Sequence, residues 1–99
     1  DIYIDCFLSY VDAVLGTDIK VPTLSGFVKM KVPGGISNGQ LMRLKNKGIN
    51  ELNRHKSGDQ YVRMNIIIPN KINNKTKSIL EDLRLNLGSD TEFKKINNE

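Results

Sequence analysis

The sequence predicts a mainly-β fold: a small antiparallel β-sandwich with a short helix after strand one and an amphipathic helix near the C-terminus. Three observations carry that expectation. Apolar and polar residues alternate at period two over residues 2–8, 27–32 and 60–68. Turn-forming clusters, Thr23-Leu24-Ser25-Gly26, Pro33-Gly34-Gly35 and Asn38-Gly39, punctuate these runs. The apolar spacing then switches to a helical period over residues 79–87.

Residues 2–8 form the first expected strand, with Ile2, Ile4, Cys6 and Leu8 turned inward. Ser9 is placed to cap a helical turn through Val11, Ala13, Val14 and Leu15, with Asp12 completing a capping pattern and Gly16 stopping it. Ile19 and Val21 open the next strand. From Val21 to Gly48 the chain reads as three short strands of one half-buried antiparallel sheet with a charged outer face. Gly26 can take the positive φ of a tight hairpin. Val28, Met30 and Val32 point one way, and Phe27, Lys29 and Lys31 the other. Pro33 ends that strand, because it cannot donate to a ladder. After Asn38-Gly39, Met42 and Leu44 are expected inward and Arg43 and Lys45 outward, and Gly48 closes the unit. Residues 49–57 are polar without a period and read as an exposed loop.

The longest strand is expected over residues 60–68, with Val62, Met64, Ile66 and Ile68 on the core side. Tyr61 and Ile67 fall on the other side with Arg63 and Asn65, and Pro69 ends the strand. Asn73 is a helix N-cap and Gly88 a stop, which gives a helix from Asn74 to Leu87. Its apolar stripe is Ile79, Leu80, Leu83 and Leu87, while Glu81, Asp82 and Arg84 face away. The expected organisation is a sandwich over residues 1–70, a helix within 71–88 and a polar tail over 89–99 that frays despite Phe93 and Ile96.

With 99 residues the chain makes one modest domain, and no apolar run approaches the ~20 residues of a membrane span. It opens on alternating residues rather than on a signal-peptide pattern. The single cysteine, Cys6, excludes an internal disulfide and suits a reducing, cytoplasmic compartment. It alternates in step with Ile2, Ile4 and Leu8, which makes it a buried small hydrophobe rather than a nucleophile. The single histidine, His55, lies between Arg54 and Lys56, so no zinc ligand set can be assembled. There is no G-x-S-x-G and no Walker loop, and Gly34, Gly35 and Gly39 lie between strands rather than before a helix. Glu81-Asp82 belongs to an exposed helix face. These observations predict no enzyme, no metal and no cofactor.

The net charge of +4 is uneven, with Asp1, Asp5, Asp12 and Asp18 early and lysines and arginines concentrated over residues 19–57. Those bases interleave with core residues at period two, so a solvated strand face is favoured over a nucleic-acid surface. The alternative is an RNA-binding face through Lys29, Lys31, Arg43, Lys45 and Lys47. Against it, the outward aromatics Phe27 and Tyr61 are too few to form an obvious stacking platform. A purely structural dimerisation module is a third reading.

The central stretch also carries a resemblance. Val21-Pro22-Thr23-Leu24 with Gly26, the run from Val28 to Pro33, Gly39, Arg43-Leu44 and Lys47-Gly48 reproduce V-P-T-L-x-G, V-K-[LM]-K-[VI]-P and R-L-x-x-K-G in order. Asp1-Ile2-Tyr3, Ala13, Leu15-Gly16, Gly58-Asp59-Gln60-Tyr61-Val62 and Pro69 agree at the flanks. The pattern resembles the second C-terminal β-sandwich domain of the DnaJ-family J-domain co-chaperones over roughly residues 1 to 88.

The resemblance implies a stress-response chaperone function in protein folding: binding unfolded polypeptide clients, and joining two subunits through the C-terminal segment so that a homodimer grips one client twice. Phe7, Phe27, Tyr61 and Ile67, apolar residues on the outward sides of strands, are the expected client-binding residues. Ile79, Leu80, Leu83 and Leu87 are the expected dimer seam. The sequence contains no H-P-D tripeptide and no C-x-x-C-x-G-x-G repeat. A DnaK-type partner is therefore expected to be engaged through a J-domain outside this chain, which reads as the C-terminal fragment of a longer co-chaperone.

Overall fold

The computed structural model describes residues 1–44, 58–88 and 91–96. The expected loop over 49–57, Lys45, Lys47, Gly48 and His55 lie outside the described residues, as do parts of the tail. The chain divides into two compact units, Asp1–Ile68 and Pro69–Glu99.

The first unit holds β1 (Ile2–Ser9), α1 (Tyr10–Leu15), β2 (Thr17–Thr23), β3 (Gly26–Val32), β4 (Leu41–Leu44) and β5 (Gln60–Ile67). Alternation sets the strands as expected, with Leu8, Val21, Met30, Val32, Val62 and Met64 forming the buried core. Ile4, Cys6, Ile19, Ile36, Met42 and Leu44 pack against it. The core residues come from two sheets, one of order β1-β5-β4 and the other the β2-β3 hairpin. The fold is therefore the small mainly-β sandwich that the pattern predicts.

Three details differ from the sequence reading. β3 and β4 do not share a sheet: β3 pairs with β2, whereas β4 pairs with β5. Alternation fixes which side of a strand is buried and is silent about the neighbour it pairs with. β1 and β5 run parallel, from Ile2↔Gln60 to Ser9↔Ile67, so one pairing of the sandwich is not antiparallel. Ile68, expected on the core side, lies beyond the end of β5 and is 76% exposed. Ladder pairing stops at Ile67 just ahead of Pro69, and the alternation has no meaning past that point.

Local chemistry accounts for the turns and the short helix. Ser9 Oγ accepts from the Asp12 N–H at 3.1 Å, and the Gly16 N–H donates to Asp12 O at 2.8 Å. The Pro33-Gly34-Gly35 turn packs against the end of α1, where the Gly35 N–H donates to Ala13 O at 2.8 Å. A Cβ on Gly34 would meet the Val14 carbonyl oxygen at 2.5 Å, so this glycine is required by close backbone approach. At the hairpin tip Gly26 adopts φ 103°, and Thr23 Oγ1 accepts from the Ser25 N–H at 3.2 Å.

The second unit contains α2 (Asn74–Leu87). Asn73 Oδ1 accepts from the Thr76 N–H at 2.7 Å, and the Gly88 N–H donates to Arg84 O at 3.1 Å. Both caps are those read from the sequence. None of its residues is buried. Phe93 and Ile96 beyond it are exposed.

Gly34→Ala is expected to lower stability by about 1–3 kcal/mol, the usual cost of forcing backbone apart in a packed site. Thermal denaturation measures it, and a variant that melts with the wild type would mean that the turn is not held against α1.

Candidate functional site

β5 is enclosed on both sides. β1 fills one edge, and β4 fills the other as far as Leu41. The ladder then continues without a strand: the Gly39 N–H donates to Met64 O at 2.6 Å and the Met64 N–H to Gln40 O at 2.8 Å. Asn38 Oδ1 accepts from the Ile66 N–H at 2.9 Å, standing in for a strand carbonyl. Among the described residues, the unpartnered strand edges therefore include those of β1 and β2.

The phase of each edge follows from its hydrogen bonds. The Ile2 N–H donates to Asp59 O at 3.0 Å, so Ile2, Ile4, Cys6 and Leu8 turn their backbone groups to β5. Tyr3, Asp5 and Phe7 turn theirs to the open side. In the hairpin, the two-residue loop Leu24-Ser25 makes Thr23↔Gly26 a bonded pair. Alternation then turns the backbone groups of Asp18, Lys20 and Pro22 away from β3. The Gln60 Nε2 donates to Pro22 O at 2.8 Å, which agrees with that phase.

A cleft of about 230 Å³ lies between the two strands. Ile4 and Cys6 of β1, Ile19, Val21 and Pro22 of β2, and Val62 of β5 line it, with Asp5 and Lys20 as its charged members. Burial pushes the Cys6 thiol up, so it stays protonated at neutral pH and acts as an apolar liner.

The outer face of the three-stranded sheet is different. Tyr3 and Tyr61, opposite each other in register, stack with ring centroids 4.9 Å apart and an interplanar angle of 13°. Asp5 Oδ1 accepts from Arg63 Nε at 2.7 Å and from Asn65 Nδ2 at 3.0 Å, and its Oδ2 accepts from Arg63 Nη2 at 3.2 Å. Arg63 and Asn65 together hold the Asp5 carboxyl below the ordinary aspartate range. Arg43 Nε donates to Asp59 Oδ2 at 2.6 Å.

Residues 1–69 match the family described as DnaJ C terminal domain. The chain belongs to this family. It is 43% identical over 95 residues to the chaperone protein DnaJ of Clostridioides difficile strain 630, covering 96% of this chain and 25% of that protein. It is 43% identical to the chaperone protein DnaJ of Clostridium novyi strain NT, covering 97% of this chain and 28% of that protein. With that of Geobacillus kaustophilus strain HTA426 the identity is 42%, over 92% of this chain and 24% of the relative. The chain thus spans about a quarter of the length of the curated relatives it matches.

In this DnaJ C-terminal domain the four outward apolar residues do not form one patch. Phe7, Tyr61 and Ile67 share the outer face of the three-stranded sheet, and the Asp5–Arg63–Asn65 cluster separates Tyr61 from the other two. Phe27 lies on the other sheet, opposite Pro22. The cations are dispersed as well: Lys29 and Lys31 are on the hairpin, Arg43 on the three-stranded sheet, and Lys45 and Lys47 outside the described residues. The described residues contain no group of three or more His, Cys, Asp and Glu arranged for a metal, and no helix long and apolar enough to cross a membrane.

Sequence reasoning passed over Tyr3 and the cleft. Tyr3 was legible, since it alternates in step with Phe7. The cleft was not, because it depends on which strand edges remain open.

Because hydrogen bonding lowers the Asp5 pKa in the folded chain, its contribution to stability is full above the unfolded value of about 4 and is lost as pH falls through the folded value. A carboxyl-carbon NMR titration should place the Asp5 midpoint below that of free aspartate, and Arg63→Gln should bring it back up. A midpoint unmoved by Arg63→Gln would remove Arg63 as the cause.

Proposed function

We propose that this DnaJ C-terminal domain binds extended, apolar segments of unfolded polypeptide in the β1/β2 cleft. The observation that carries the reading is a pair of strand edges, open among the described residues, flanking an apolar cleft. An extended segment satisfies its own backbone groups on such an edge and places alternate side chains into the apolar lining. Backbone pairing reads no side chain, so the binding is weak and sequence-tolerant. Phe7, one residue beyond Cys6 on β1, and Phe27, opposite Pro22, extend apolar surface on either side. Tyr61 and Ile67 offer further contact on the outer face. The domain works by binding alone, without catalysis or a cofactor.

The second part of the proposal is dimerisation through α2. Ile79, Leu80, Leu83 and Leu87 form one stripe, and Ile79 and Leu87 are 57% and 65% exposed within this chain. Facing copies would cover that stripe symmetrically. Two weak grips on one client raise avidity without a new contact. Joined to a J-domain, such a dimer would hold clients for a DnaK-type chaperone.

Titrating the labelled chain with an unfolded, apolar-rich peptide at moderate salt is expected to shift amides of Ile4, Cys6 and residues 19–21. Shifts confined to the lysines and abolished by salt would instead favour a nucleic-acid surface. Sedimentation equilibrium is expected to show a dimer for the wild type and a monomer for Leu83→Asp. A wild type that stays monomeric at high concentration defeats the dimer.

A further inference from the structure

Gln60 is an exception in the core. It is only 1% exposed, it sits on the face of β5 that carries Val62 and Met64, and its Oε1 finds no hydrogen-bond donor among the described residues. A buried acceptor without a donor is costly and calls for an explanation.

The explanation lies in its partner. A carboxamide carries a donor and an acceptor side by side, so it can take both the C=O and the N–H that a strand residue turns to an open edge. Pro22 offers the C=O, which Gln60 Nε2 takes at 2.8 Å, but it has no N–H to give. Gln60 satisfies Pro22 and is itself half satisfied. Its amide thus stands where the N–H and C=O of one residue of an added strand would stand at Pro22.

We propose that Gln60 is a stop for strand addition on β2: it occupies the last outward carbonyl of that edge, so a bound segment pairs with Asp18 and Lys20 and ends there. The inference rests on the strand-addition reading above and deepens it by fixing the register and reach of the segment. Pro22 and Gln60 act together. The proline removes the donor, and the glutamine takes the acceptor that remains. A segment with a bulky or charged residue just past the Lys20 pairing is accepted as readily as an apolar one, because its backbone is already free of β2 at that point.

The test uses the intact 99-residue chain and two apolar peptides with one shared core. One peptide reaches only Asp18 and Lys20, and the other continues past Pro22. The wild type is expected to bind both equally. Gln60→Ala, which vacates the place beside the Pro22 carbonyl, should tighten the longer peptide by about two- to tenfold, the worth of one hydrogen bond, and leave the shorter unchanged. Equal gains for both peptides, no gain, or a wild type that already prefers the longer one overturns the stop alone. Failure of the wild type to bind either peptide overturns strand addition, and the stop with it. Pro22→Ala provides a second check. The N–H it introduces should be protected from exchange by Gln60 Oε1, with no gain for the longer peptide. A freely exchanging N–H there overturns the placement of Gln60.

Discussion

The constraint on which the first unit depends is the double occupancy of β5. The strand most distant in sequence from β1 is the one that pairs with it, residue for residue from Ile2↔Gln60 to Ser9↔Ile67. On the other side β4, Gln40, Gly39 and the Asn38 side chain complete the ladder to Ile66. A central strand with both edges filled exposes no backbone, so the unpaired groups are displaced outward to other strands. Among the described residues the β2-β3 hairpin pairs only with itself, and it packs on the three-stranded sheet through Val21, Met30 and Val32. Edges of β1 and β2 left open among the described residues, with an apolar cleft between them, are the consequence.

Soluble proteins usually blunt open edges with charge or proline, and β2 carries both in Lys20 and Pro22. These residues keep the edge from pairing indiscriminately and leave a short stretch available. On the strand-addition proposal, that restriction favours release, since each additional backbone pair slows dissociation. The proposed stop at Gln60–Pro22 belongs to the same arrangement, because a core glutamine with one unused oxygen has no advantage over leucine in packing alone.

The outer face of the three-stranded sheet is held by polar and aromatic pairs. Parallel register brings Asp5 opposite Arg63 and Tyr3 opposite Tyr61, so side chains far apart in the chain stitch β1 to β5. These contacts are exposed, and each adds little to stability by itself. They also interrupt the apolar surface, which is why Phe7, Tyr61 and Ile67 do not merge into one patch. The helix of the second unit presents the opposite case. Asn73 and Gly88 set its ends without tertiary help, yet an isolated helix of this length is marginal in water, so a partner under its apolar stripe has a thermodynamic rationale.

What the sequence determined by itself was everything governed by near neighbours. Period-two alternation identified the buried face of every described strand, Ser9 and Asn73 marked the helix starts, Gly16 and Gly88 marked the ends, and Gly26 marked the hairpin. The motifs from Val21 to Gly48 placed the family. Strand partnership was decided only in three dimensions. Nothing in the alternation of residues 27–32 and 41–44 says that β3 and β4 part company, or that β1 lies parallel to β5. Side-chain period is a property of one strand, whereas pairing is a competition among all strands for backbone partners and for one shared core. The cleft, the Asp5–Arg63 pair and the half-satisfied Gln60 all arise from that competition, so they became visible only once the strands were in place.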